Sequence, residues 1–158
     1  MSVDVGQPAP DFSLYDAETK KQRKLSEFKG KNVVLAFFPG AFTGVCTKEA
    51  CTFRDSAAQL NSLNAQVVGV TVDSPFAQKA WADANKLGFP LLSDFGKQVI
   101  QQYGAGFKNL AGLEGYVSAT RAVFVIDKGG VVRMKWIAPN PGIEPDYAAV
   151  QATLAGLK

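Results

Sequence analysis

The run Val33-Val34-Leu35-Ala36-Phe37-Phe38 contains no polar position. A continuous apolar run of this length suits a strand buried on both faces, as in a parallel sheet. Pro39-Gly40 ends it. A helical pattern follows from about Thr43 to Asn64, with Ala50, Phe53, Ala57 and Leu60 on one stripe at about 100° per residue. Val67 to Val72 is a second run rich in β-branched residues. Strand, helix and strand at this spacing predict a βαβ unit with a right-handed crossover.

The flanking segments fill in the rest. Phe12 to Tyr15 and Gln22 to Leu25 read as two short strands around the polar turn Asp16 to Lys21. Ser26 is placed to cap a single helical turn through Phe28, ended by Gly30. Ser74-Pro75 is a helix start, with a capping hydroxyl and a proline at the first helical position. Ala77, Ala80, Trp81 and Ala84 then share one face, which makes Trp81 a core residue, and Gly88 closes the helix. Pro90 to Leu92 reads as a short strand. Ser93 or Asp94 starts a short helix through Val99, Ile100 and Tyr103. The Gly-rich stretch Gly104 to Ser118 reads as a loop. Ala122 to Ile126 and Val131 to Trp136 predict a hairpin turning at Asp127-Lys128-Gly129-Gly130. Pro139 to Pro145 is a loop, and Asp146 to Leu157 a closing helix. The order predicts one three-layer α/β domain over residues 1–158, with a mixed central sheet flanked by helices, compatible with a thioredoxin-like fold.

Composition narrows the function classes. The chain has 158 residues and a net charge of +3, from 17 basic and 14 acidic side chains. That excess is too small to argue for nucleic acid, and Lys20, Lys21, Arg23 and Lys24 read as a solvated turn. No stretch approaches the roughly 18 apolar residues of a membrane span. Met1 to Pro10 shows no basic region followed by an apolar run. The expectation is a soluble, cytoplasmic protein whose thiols are kept reduced.

There is no histidine, and there are two cysteines, Cys46 and Cys51. Ser-His and Cys-His nucleophile pairs are therefore excluded. Two cysteines without histidine cannot complete a tetrahedral metal site, so neither metal nor cofactor is expected. A thioredoxin-like disulfide reductase would carry Cys-x-x-Cys at its helix start, and this chain does not.

Cys46 stands out by its place. It falls in the first helical turn after a core strand, where open α/β sheets form their sites. Unpaired N–H groups and the positive end of the helix dipole face it, and both favour a thiolate. A helix terminus alone supplies less than the ~1.4 kcal/mol that one pKa unit represents. A cation should help, and without histidine it must be arginine or lysine. Cys46 lies near the centre of the apolar stripe and should point into the domain. Cys51 lies about 140° from that centre, on the flank facing water. Residues five apart rise about 7.5 Å along an intact helix, whereas a disulfide needs Cα atoms about 4.4–6.8 Å apart. The two cysteines can join only if that turn of helix unwinds.

The run Pro39, Thr43, Cys46 resembles the peroxiredoxin pattern Pro-x-x-x-Thr/Ser-x-x-Cys. Phe37-Phe38 before it, and Glu49 and Phe53-Arg54-Asp55 after it, are similar too. So are the opening Gly6-Gln7-Pro8-Ala9-Pro10-Asp11-Phe12, the segment Ser93-Asp94-Phe95 with Tyr103-Gly104, and Arg121 in Thr120-Arg121-Ala122-Val123-Phe124-Val125-Ile126-Asp127. The spacing Cys46-x4-Cys51 resembles the peroxiredoxin Q group, also called bacterioferritin comigratory protein. Phe38-Pro39-Gly40-Ala41-Phe42-Thr43-Gly44 is similar to the related one-cysteine group.

The resemblance implies a thiol-dependent peroxidase for hydrogen peroxide and organic hydroperoxides. In it, Cys46 attacks the peroxide and becomes a sulfenic acid. Arg121 holds the thiolate and donates to the peroxide, and Thr43 orients both. Pro39 shields the site, and Glu49 positions the arginine side. The peroxiredoxin Q likeness makes Cys51 the resolving cysteine, with a thioredoxin-like thiol donor as reductant; the one-cysteine likeness leaves Cys51 without that role. Monomer and homodimer both fit this group, and so do detoxification and peroxide sensing.

Overall fold

The computed structural model describes residues 2–157. The apolar run forms β3 (Asn32–Phe37), in which every residue is buried. Its alternation sorts side chains to two faces. Val33, Leu35 and Phe37 join one core cluster; Val34, Ala36 and Phe38 join the other. β4 (Ala65–Thr71) lies parallel beside β3, completing the expected βαβ unit.

Around this pair the sheet grows to seven strands. β1 (Ser13–Asp16) and β2 (Gln22–Lys24) form an antiparallel pair. β5 (Leu91–Ser93) runs parallel to β4 and antiparallel to β1. β8 (Ala122–Ile126) pairs antiparallel with β3, and β9 (Val132–Ile137) with β8. The order across the sheet is β2-β1-β5-β4-β3-β8-β9, mixed as expected. Asp127 closes the β8–β9 hairpin, its carboxylate accepting from the N–H groups of Gly129 and Val131.

One face is covered by α1 (Gly44–Asp55), α2 (Ala57–Ser62), α3 (Pro75–Asn85) and α5 (Tyr147–Ala155). They contribute Cys46, Ala50, Phe53, Leu60, Trp81, Val150 and Leu154 to that core. The other face is covered by the N-terminal segment through Val3 and Phe12, and by α4 (Gln98–Gln102) through Val99 and Ile100. Trp81 is fully buried, as its helical spacing predicts.

Five local expectations change. The long helix breaks at Ser56, whose φ of −92° and ψ of 4° leave the helical region. The phase slips there, so Ala57 is exposed while Leu60 still reaches Ala65 and Val67. The turn of 3-10 helix Leu25–Phe28 is capped at Lys24, not Ser26. Lys86, at φ 51°, closes α3 in place of Gly88. The stretch read as a loop holds two three-residue strands, β6 (Gly106–Lys108) and β7 (Val117–Ala119), paired antiparallel. α4 starts at Gln98 rather than at Asp94, but the Asp94 carboxylate accepts from the N–H groups of Val99 and Ile100, which satisfies that helix end from four residues away.

Candidate active site

The sheet register brings the site together. Ala122, the first residue of β8, pairs with Phe37, the last of β3. Arg121 therefore sits beside the C-terminal end of β3, where Pro39 to Thr43 lead into α1. Ala122 also pairs with Ile137 at the end of β9, and the Ala138 N–H donates to the Arg121 carbonyl at 2.9 Å. The loop that follows β9 is thereby delivered to the same place.

Thr43 is the N-cap residue of α1, in extended conformation, and Cys46 lies in the first turn. Cys46 is fully buried, as its position on the stripe requires. The Arg121 guanidinium is the cation expected beside it, with Nη2 donating to Cys46 Sγ at 3.3 Å. Nη1 donates to Glu49 Oε1 at 2.9 Å. Nε and Nη2 both donate to the Pro141 carbonyl, at 3.0 and 2.8 Å. Four of the five guanidinium hydrogens are committed in this way. Burial works against the Arg121 charge, yet Cys46 and Glu49 together raise its pKa above the usual arginine value.

Glu49 is fully buried and its Oε2 has no partner among the described residues. Burial raises its pKa to about 7, and this outweighs the hydrogen bond and the charge of Arg121, which pull it down. The carboxyl group is thus poised to bind a proton in the neutral range.

Of the remaining expected site residues, Pro39 is buried at the end of β3. The Thr43 hydroxyl donates to the Gly40 carbonyl at 2.8 Å, so its lone pairs remain as acceptors. Between them, Phe42 is exposed and has φ of 64°, a left-handed conformation that strains a bulky side chain. Cys51 departs from the sequence expectation. It is half-buried against α3 rather than turned to water, with its thiol 3.8 Å from Asn85 Oδ1. Both cysteines are free thiols within one unbroken helix.

Sequence reasoning missed the loop's contribution. The Pro141 acceptor is a main-chain carbonyl, and no side-chain pattern marks it. Glu144 reaches Lys48 of α1 at 3.1 Å and accepts from the Tyr147 hydroxyl at 2.7 Å, tying the same loop down. Burial opposes the charge of Glu144, but Tyr147 and Lys48 hold its pKa below the ordinary carboxylate value. These residues carried no signal beyond their place in a Pro-rich loop.

The fold and sequence match known proteins. The model of the AhpC/TSA family matches residues 5–135. The chain belongs to the AhpC/TSA family. Its relatives there are named peroxiredoxins. It is similar to the putative peroxiredoxin bcp of Coxiella burnetii, at 40% identity over 98% of this chain and 100% of that one. It is similar to the chloroplastic peroxiredoxin Q of Populus jackii, at 41% identity over 84% of this chain, and spans 59% of that longer protein. The crystal structure of peroxidoxin BcpB from Mycobacterium tuberculosis superposes with a TM-score of 0.86 and 33% identity, covering 99% of each chain. The mixed seven-stranded sheet flanked by helices is the thioredoxin-like peroxiredoxin fold.

Proposed function

We propose that this peroxiredoxin acts as a single-domain cytoplasmic thiol peroxidase, with Cys46 as the attacking thiolate. The observation that carries the reading is the Arg121 Nη2 contact with Cys46 Sγ at 3.3 Å, between two buried side chains. At that distance a fixed guanidinium stabilises negative sulfur, and burial of the pair strengthens the attraction.

The Cys46 sulfur attacks one oxygen of the peroxide and the O–O bond breaks. The departing oxygen leaves as alkoxide or hydroxide and takes up a proton, while Cys46 becomes a sulfenic acid. Negative charge moves from sulfur to the departing oxygen during this step. Arg121, held by Glu49 and by the Pro141 carbonyl, keeps one N–H uncommitted for that oxygen. The arrangement is electrostatic preorganisation: the donors are fixed before the charge moves. Thr43, its hydroxyl hydrogen engaged by Gly40, accepts from the hydroperoxide O–H and aligns it. Pro39 closes the strand side of the site.

Cys51 then attacks the sulfenic sulfur, and a thiol reductant of thioredoxin-like chemistry returns both thiols. Its place five residues along α1, with a free thiol, supports that role. The experiment is peroxide consumption by wild type and Cys46→Ser. The variant should be inactive, and retained turnover would refute the assignment.

A further inference from the structure

α3 holds α1 at three points. The Trp81 indole Nε1–H donates to Thr47 Oγ1 at 3.1 Å. The Cys51 thiol donates to Asn85 Oδ1 at 3.8 Å. Arg54 Nη1 donates to the Asn85 carbonyl at 2.6 Å. Thr47, Cys51 and Arg54 follow one another at i, i+4 and i+7, the spacing of a single helix face. Trp81 and Asn85 are themselves one turn apart, linked by an Asn85 Nδ2 bond to the Trp81 carbonyl at 3.0 Å. Two residues of α3 thus grip the flank of α1 that carries Cys51.

A Cys46–Cys51 bond requires the helix between them to unwind, and two sets of contacts resist. On one side stands Arg121, bound to Cys46 and Glu49. That side is largely coulombic, and it weakens by itself when the thiolate becomes a neutral sulfenic acid. The α3 side is different. The bonds from Trp81 and to Asn85 Oδ1 are between neutral groups, and oxidation of Cys46 leaves them unchanged. Trp81 is fully buried and packs edge-to-face on Phe38, with ring centroids 5.5 Å apart. When Thr47 moves away, the indole N–H stays in the core without its acceptor, and an unmade buried donor is expensive. The Arg54–Asn85 bond lies beyond Cys51, outside the segment that must unwind.

We infer that Trp81, acting through Thr47, is a positioning residue for the resolving step: it keeps the first turns of α1 helical and sets how long the sulfenic acid persists. The inference rests on the reading of Cys51 as the resolving cysteine. In that step the Cys51 sulfur attacks the Cys46 sulfur, the S–S bond forms and the S–O bond breaks. The hydroxide released combines with the thiol proton as water. The thiol reductant later supplies the two electrons that reopen the disulfide. A long-lived sulfenic acid meets a second peroxide more often and is driven to sulfinic acid. The hydrogen bond therefore trades speed of resolution against sensitivity to overoxidation.

The test is rapid quenching after one equivalent of hydrogen peroxide, with sulfenic acid and disulfide followed separately by mass. Trp81→Phe keeps the ring against Phe38 and deletes the donor; Thr47→Val deletes the acceptor from the other helix and covers any folding defect in the first variant. Both should form the disulfide about tenfold faster, the upper range for one net hydrogen bond. The first oxidation should change less than about twofold on the same scale, and less sulfinic acid should accumulate in excess peroxide. Resolution at the wild-type rate in both variants would overturn the inference and leave the peroxidase reading intact. So would equal acceleration of both steps, which would mean general loosening. A wild-type chain that gains oxygen but never forms the disulfide would overturn the role of Cys51 and the inference with it.

Discussion

Arg121 Nη2 lies 3.3 Å from Cys46 Sγ, joining residues 75 apart in sequence. The same guanidinium also holds Glu49 and the Pro141 carbonyl. A lysine can supply charge at this place but not a planar fork reaching three acceptors at once. Arg121→Ala should slow sulfenic acid formation by about 10²–10³-fold, in line with loss of a preorganised donor. Arg121→Lys should recover only a small part of that. Stopped-flow oxidation of Cys46 gives the rate; an unchanged rate in Arg121→Ala would remove the arginine from the chemistry, and an unchanged rate in Arg121→Lys would show that charge without the fork suffices.

Glu49 provides a pH signature. Burial raises its pKa from 4.5 to about 7 in the folded chain. The folded state therefore holds a proton that the unfolded chain releases. This contribution to stability is present in full below about pH 4.5 and is lost as pH rises through about 7. Its size is bounded by the shift, at most ~3 kcal/mol. Urea denaturation of wild type should show stability falling across this window. Glu49→Gln, which cannot titrate, should flatten that part of the profile. An identical slope in the variant would mean that Glu49 is ionised throughout.

Gly69 of β4 tests the packing behind the site. A Cβ there would meet Leu91 Cδ2 at 2.7 Å, Phe38 Cε2 at 3.2 Å and Phe89 Cε1 at 3.3 Å. Phe38 in turn supports Trp81. Gly69→Ala should therefore destabilise by about 1–3 kcal/mol, the usual range for overpacking. Thermal or chemical unfolding checks this, and a neutral substitution would show that the three side chains yield together.

Much of this organisation is legible in the sequence where the physical signal is local. Six consecutive apolar residues forced β3 into the centre of the sheet, and Ser74-Pro75 fixed the start of α3, with Ser74 Oγ accepting from the Ala77 N–H. The position of Cys46 on the apolar stripe foretold its burial. Three-residue strands such as β6 and β7 are too short to show alternation, and their turn holds left-handed Asn109 and Ala111, so they read as loop. The break at Ser56 has no proline or glycine to announce it. Helical phase alone turns Cys51 to water because it ignores a neighbouring helix; Asn85 of α3 occupies that flank. The Pro141 carbonyl was beyond reach, since its identity depends on where β9 ends rather than on any side chain.

The most direct measurement is the intact mass and peptide map of Cys51→Ser and Cys46→Ser after one equivalent of hydrogen peroxide. Cys51→Ser should gain one oxygen atom, located on Cys46, and stop there. Cys46→Ser should remain unmodified at Cys51. Oxygen found on Cys51 while Cys46 stays a free thiol would contradict the account.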